Sequence, residues 1–257
     1  MTTHIIPVKG AAISATDTGC GPTLVFCHGL GLNQTIWNSV TEVFPNHRSI
    51  TYDLRGHGAS SVPNGPYSMG MMISDAEAVC DYFELKDVCF VGLSVGGMIA
   101  QALAVKRLDL MRAMVLCSSS AKNGQPGPWI ERAANTRATG IAPMFPQIFE
   151  RWNENAEATQ TARTILENMN PEGYAAMCEA IAGTDLYTPT SGLRLPTLGL
   201  CGINDRATPP DLVRETTDLI PGSRFELIRG AGHLPPLSQP AQMADRLMSF
   251  LGNIGHV

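Results

Sequence analysis

No run of lysine or arginine occurs in this chain, and its 18 basic residues are outnumbered by 23 acidic ones, for a net charge of -5. A nucleic-acid binder needs a basic face, so that class is excluded. No stretch approaches 18 uninterrupted apolar residues, so no segment is expected to span a membrane. Residues Met1 to Gly10 lack the cationic start and apolar centre of a secretory signal, and the expectation is a soluble, cytoplasmic chain. The seven cysteines are odd in number and contain no C-x-x-C pair. Cys27, Cys89, Cys117 and Cys201 fall in or at the end of apolar runs, where a thiol behaves as a small hydrophobe. The six histidines show neither H-x-H nor H-E-x-x-H spacing, so no metal is expected.

What is present is enough apolar residue, 44% of 257, to bury a sizeable core in one α/β domain or a core with an insertion. Two short strands, Ile5 to Val8 and Ala11 to Thr16, turn at Lys9-Gly10, and a buried strand Thr23 to Cys27 follows. A short helix over Gln34 to Phe44 and a strand Arg48 to Tyr52 lead into a Gly/Ser/Pro-rich loop, Leu54 to Pro66. From Ser68 to Leu85, Met72, Ile73, Ala76, Val79, Cys80 and Phe83 recur at helical spacing, with Asp75, Glu77, Asp81 and Glu84 assigned to other faces. Arg112 to Cys117, Thr197 to Cys201 and Arg224 to Ile228 read as strands, and Pro210 to Ile220 and about Pro240 to Leu251 as helices. Strands alternating with helices imply a mostly parallel, twisted sheet with helices on both faces. Between Lys122 and about Tyr187 the pattern is helical only. The expected organisation is a core (1–121), an inserted helical cap (122–187) after the sixth strand, and the rest of the core (188–257).

The chemistry starts at Gly92-Leu93-Ser94-Val95-Gly96, which follows the apolar run Val88 to Val91 and opens onto Met98 to Ala104. A strand, a G-x-S-x-G turn and a helix are the context that strains a serine backbone and lifts its hydroxyl to the sheet edge. The pentapeptide alone would arise by chance in roughly one chain in seven of this composition, so its setting carries the signal. A serine hydroxyl needs a base, and the base needs an acid that fixes its tautomer. His233, just past the strand Arg224 to Ile228, fits the base. Asp205, just past the strand Thr197 to Cys201, fits the acid, with Asp185, Asp211 and Asp218 as nearby alternatives. His28-Gly29-Leu30-Gly31, after the strand Thr23 to Cys27, fills the oxyanion position: the N–H groups of Leu30 and Val95 are expected to hold the developing negative oxygen. His28 and the loop Asp53 to Ser60 are read as structural braces.

Taken together, these motifs and their order resemble the α/β-hydrolase superfamily, from about Gly10 to Leu251. Within it the chain is similar to the 3-oxoadipate enol-lactonases of the β-ketoadipate pathway. The likeness runs through Phe90-Val91-Gly92-Leu93-Ser94, Gly96-Gly97-Met98 and Ala121-Lys122-Asn123-Gly124 leading to Trp129 and Arg132. It continues in Asn170-Pro171-Glu172-Gly173-Tyr174 and Gly232-His233-Leu234-Pro235. One departure is that enol-lactonases often carry Asn-Ser-Leu-Gly where this chain has His28-Gly29-Leu30-Gly31. The resemblance implies a cofactor-free serine hydrolase opening a small carboxylated lactone. Its carboxylate would need a cation from the cap, which offers Lys122, Arg132, Arg137, Arg151 and Arg163. Arg132 is the first choice, with Trp129 and Lys122 beside it. The alternatives are a carboxylesterase or acyl-homoserine lactonase, with Met144, Phe145, Phe149, Met177 and Trp152 lining a greasy pocket, or a carbon–carbon hydrolase of ring-cleavage products. A non-catalytic scaffold would have no need of all three triad groups.

Overall fold

The computed structural model describes residues 2–257. Its strands are β1 (Thr2–Val8), β2 (Ala11–Thr18), β3 (Thr23–Cys27), β4 (Arg48–Tyr52), β5 (Val88–Leu93), β6 (Met111–Cys117), β7 (Thr197–Gly202) and β8 (Arg224–Ile228). They form one sheet in the order β1-β2-β4-β3-β5-β6-β7-β8. The β1–β2 and β2–β4 pairs are antiparallel and every later pair is parallel. β1 begins earlier than its apolar residues suggest, because Thr2, Thr3 and His4 pair with Asp17, Thr16 and Ala15 on an exposed edge.

The helices are α1 (Asn38–Thr41), α2 (Met69–Tyr82), α3 (Val95–Lys106), α4 (Pro126–Thr139), α5 (Phe145–Trp152), α6 (Ala156–Glu167), α7 (Pro171–Ala182), α8 (Tyr187–Ser191), α9 (Pro210–Asp218), α10 (Pro235–Ser238) and α11 (Pro240–Ile254). Side chains alternate across a strand, so each central strand feeds two cores. Val88 and Phe90 of β5 pack with α2 and α3, while Cys89, Val91 and Leu93 pack on the other face with α1 and α11. Every residue of β5 is buried, as expected of a parallel strand covered on both sides. The helices α4 to α8 all lie between β6 and β7 in the chain. The last of them, α8, is tied to the core: Thr190 Oγ1 donates to Gln101 Oε1 of α3 at 2.9 Å.

The sheet order reverses at β3, whose neighbours are β4 on one side and β5 on the other. At such a switch point the connections leave in opposite directions and open a crevice at the strand C-termini. The loops after β3, β5, β7 and β8 all emerge at that end.

All seven cysteines are free, with Cys20 exposed and the other six buried. Burial pushes the Cys89 thiol up to about 12, so it stays protonated as a core residue. Among the described residues no helix is long and apolar enough to cross a membrane.

One helix face differs from its sequence reading. Asp75, assigned to a polar face of α2, is buried, because Arg55 of the Asp53–Ser60 loop reaches down to it. Arg55 Nε and Nη2 donate to the two Asp75 oxygens at 2.6 Å each. The pair anchors the loop to α2, and removing one partner would leave an uncompensated buried charge. Asp75→Asn should therefore cost about 3 kcal/mol, lowering Tm by roughly 6–12 °C. Thermal unfolding followed by circular dichroism measures it, and an unchanged Tm would show that the anchor contributes nothing.

Candidate active site

Ser94 lies between β5 and α3 with φ 55° and ψ -117°. A residue with a Cβ pays strain in this region, and tertiary contacts hold it there. The Ser94 N–H donates to the Cys117 carbonyl at the end of β6 at 2.9 Å. The Ser119 hydroxyl donates to the Ser94 carbonyl at 2.7 Å. Gly96 explains the motif's second glycine: a Cβ there would lie 2.3 Å from the Cys27 carbonyl oxygen of β3. The elbow thus requires α3 to start against the neighbouring strand's backbone.

Asp205 and His233 come together from the ends of β7 and β8. His233 Nδ1 lies 2.9 Å from Asp205 Oδ2, and both side chains are buried. The other carboxylate oxygen accepts from the N–H groups of Ala207 at 2.8 Å and Thr208 at 2.9 Å. The acid is therefore oriented by its own loop before it meets the imidazole. Of the rival carboxylates, Asp185 is paired with Lys122 Nζ at 2.9 Å.

The loop after β3 is braced by two buried histidines. Leu54 N–H donates to His28 Nε2 at 3.0 Å, which leaves His28 Nδ1 to donate to the Gly29 carbonyl at 2.8 Å. Gly31 N–H donates to His57 Nε2 at 3.1 Å, and His57 Nδ1 donates to the Arg55 carbonyl at 3.1 Å. Both rings accept a backbone N–H at Nε2, so both are neutral. Asp53 completes the brace, accepting from Gln34 N–H at 2.7 Å and Ala59 N–H at 2.9 Å. The N–H groups of Leu30 and Val95, the oxyanion pair expected from sequence, donate to no described residue. Both residues line the cavity onto which Ser94 opens.

That cavity has roughly 520 Å³ of empty space, including its mouth. His233, Trp129 and Arg132 line it, with Met98, Ile148, Ile181, Trp152 and Tyr174 among its apolar and aromatic walls. Of the greasy lining considered from sequence, Trp152 is present. Phe145 and Met177 are buried in the cores, while Met144 and Phe149 pack against one of them. Lys122 requires a correction: it does not line the cavity, because Asp185 holds its ammonium outside. Arg137 is engaged with Glu172 at 2.8 Å and Glu179, and Arg163 lies over the rings of Phe145 and Phe149.

Arg132 is different. Its guanidinium lies 5.5 Å from the Trp129 ring centroid and 5.4 Å from that of Tyr174, and donates to the Tyr174 hydroxyl. Its Nε is buried without a partner, and no carboxylate pairs with it among the described residues. Burial pushes the Tyr174 phenol up, so it remains a neutral hydroxyl. Arg151 and Asn123 also line the cavity. Tyr174 stands in the Asn170–Tyr174 segment already singled out by resemblance, but its place beside Arg132 comes from the packing of α7 on α4.

The alpha/beta hydrolase family model matches residues 24–246. The chain belongs to the α/β-hydrolase family. It is 30% identical over 226 residues to 3-oxoadipate enol-lactonase 2 of Acinetobacter baylyi, covering 85% of this chain and 84% of that protein. The solved enol-lactonase of Burkholderia xenovorans superposes with a TM-score of 0.92 at 28% identity, over 97% of this chain and all of that one. A thermophilic esterase of Thermogutta terrifontis, solved with malate bound, superposes with a TM-score of 0.93 at 28% identity over the full length of both. This member of the hydrolase family is thus similar to lactonases and esterases at comparable identity.

The two bracing histidines give a pH signature. Burial lowers His28 from 6.5 to about 4, while burial and then the neighbouring His28 lower His57 from 6.5 to about 3. Above pH 6.5 both are neutral in folded and unfolded chains, and their contribution is complete. As pH falls from 6.5 toward 4, the unfolded chain binds protons that the folded one refuses. Stability then drops by up to about 1.4 kcal/mol per pH unit for each histidine. Urea midpoints should be flat above pH 6.5 and fall below it, and His57→Gln should remove part of that slope. An unchanged slope in the variant would assign the acid sensitivity to other groups.

Proposed function

We propose that this chain is a cofactor-free serine hydrolase that opens a small carboxylated lactone, 3-oxoadipate enol-lactone, to 3-oxoadipate. Ser94 is the nucleophile, His233 the base and Asp205 its orienting acid. Residues 122–187 act as the cap that closes the substrate cavity. The observation that carries the substrate class is Arg132. It is a guanidinium in the cavity beside Ser94, framed by two aromatic rings, with a buried Nε and no carboxylate partner. Such a group is the matched receptor for a planar carboxylate. The enol-lactonase relatives support the reaction, and the malate-bound esterase supports a small carboxylated molecule.

Ser94 Oγ attacks the lactone carbonyl as His233 Nε2 takes its proton. The oxyanion rests on the N–H groups of Leu30 and Val95, which have no other acceptor. Collapse breaks the ring C–O bond, and the enolate leaves with the proton returned by the imidazolium, then tautomerises to the ketone. Water, deprotonated by His233, attacks the acyl-Ser94 ester and releases the new carboxylate. An enolate leaves more readily than a simple alkoxide, so the site needs little leaving-group assistance. Arg132 and the Tyr174 hydroxyl bind the distal carboxylate and fix which carbonyl faces Ser94.

A carboxylesterase acting on a neutral ester is the second reading, favoured by the esterase's equal identity to this chain. The triad serves both. Ser94→Ala should abolish turnover and labelling by an organophosphonate, and His233→Ala should lower kcat by roughly a thousandfold or more, with Asp205→Asn close behind. Labelling of the Ser94 variant would overturn the nucleophile, and an active Asp205→Asn would overturn the acid.

Arg132→Met separates the two readings. It keeps most of the volume and removes the planar fork, a contact worth roughly 1.5–3 kcal/mol. kcat/KM on the carboxylated lactone should fall roughly ten- to hundredfold, with little change on a neutral ester of similar size. Equal losses on both substrates would mean that Arg132 supports α4 and does not read charge.

A further inference from the structure

Three successive amides around the candidate base point at one segment between α5 and α6. Gly232 N–H donates to Glu154 Oε2 at 3.0 Å, His233 N–H to the Trp152 carbonyl at 2.8 Å, and Leu234 N–H to Glu154 Oε1. The same segment grips the acid's loop. Arg206 N–H donates to the Arg151 carbonyl at 3.0 Å, and Asn153 Nδ2 donates to the Asn204 carbonyl at 2.9 Å. The two N–H groups on either side of His233 thus bind the two oxygens of one carboxylate, an anion that is a side chain of the protein itself. Gly232 makes the approach possible, since a Cβ there would lie 2.0 Å from the Trp152 carbonyl oxygen.

We propose that Glu154 is a positioning residue for His233: its carboxylate straddles the base through the amides on either side and holds the imidazole in register with Asp205 and Ser94. The proposal rests on His233 being the base, as argued above. The imidazole is held by Asp205 at Nδ1 and by stacking on the Trp152 ring, 6.2 Å between centroids, and productive geometry tolerates tilts of only about 10–20°. The loop after β8 carries glycines at 230 and 232, so its own backbone supplies little stiffness. The Glu154 clamp supplies it. Because Arg151 and Trp152 also line the cavity, the segment that holds the base is the one a bound substrate touches.

The test measures kcat and KM on a neutral ester for Glu154→Gln, Glu154→Ala and Glu154→Asp, alone and with His233→Ala. Glu154→Gln should lower kcat about tenfold or more with KM within about twofold. Glu154→Asp, one methylene shorter, should recover part of the lost kcat. In the His233→Ala background, Glu154→Gln should change the residual rate less than about twofold, since the two groups act as one unit. Glu154→Gln is isosteric and carries the test if Glu154→Ala fails to fold. A folded Glu154→Gln with unchanged kcat would overturn the proposal, as would a full further loss in the His233→Ala background. An active His233→Ala would instead overturn the base assignment on which it rests.

Discussion

The backbone of Ser94 is held where a residue with a side chain does not go unaided. Its φ of 55° and ψ of -117° cost on the order of 1–3 kcal/mol. That cost is met by contacts to the two strands flanking β5: Gly96 against the Cys27 carbonyl of β3, the Ser94 N–H on Cys117 of β6, and, from the loop after β6, the Ser119 hydroxyl on the Ser94 carbonyl. The same contacts bring the β3 loop, with its unpartnered Leu30 N–H, beside the start of α3. Strain at one residue therefore brings the Ser94 hydroxyl, the β3 loop and the start of α3 together.

Around this point the protein neutralises its charges with care. Arg55 and Asp75 bind each other in the core, Arg137 is shared by Glu172 and Glu179, and Lys122 is held by Asp185. The two histidines that brace the β3 loop are kept neutral by burial. Arg132 and Arg151 are different: both line the cavity without a carboxylate partner among the described residues, and of the two only Arg132 is framed by aromatic rings.

The helices between β6 and β7 are tied to the core on two sides of this cavity. At the start of α7, Glu172 accepts from the Gly65 N–H at 3.0 Å, and Tyr174 lies beneath Arg132. At the end of α5, residues Arg151 to Glu154 hold the loops of Asp205 and His233. The end of α5 thus both lines the cavity, through Arg151 and Trp152, and anchors the loops of Asp205 and His233.

Much of this was legible in the sequence, because local chemistry decides it. Apolar runs and helical spacing specify the strands and helices. The elbow at Ser94, the loops carrying Asp205 and His233, and the His28 loop follow from residue types that suit only those backbone positions. The burial of Asp75, which the spacing assigned to another face than the apolar one, was not legible because α2's spacing carries no information about Arg55, twenty residues away. Choosing Lys122 beside Arg132 failed for a related reason: charge and proximity in sequence cannot tell a cation that a surface carboxylate captures from one that packing leaves unpaired. Glu154 had no local signal at all. Its role arises where the chain after α5 crosses the amides around His233. Tertiary structure alone makes that encounter, since the two segments lie some eighty residues apart.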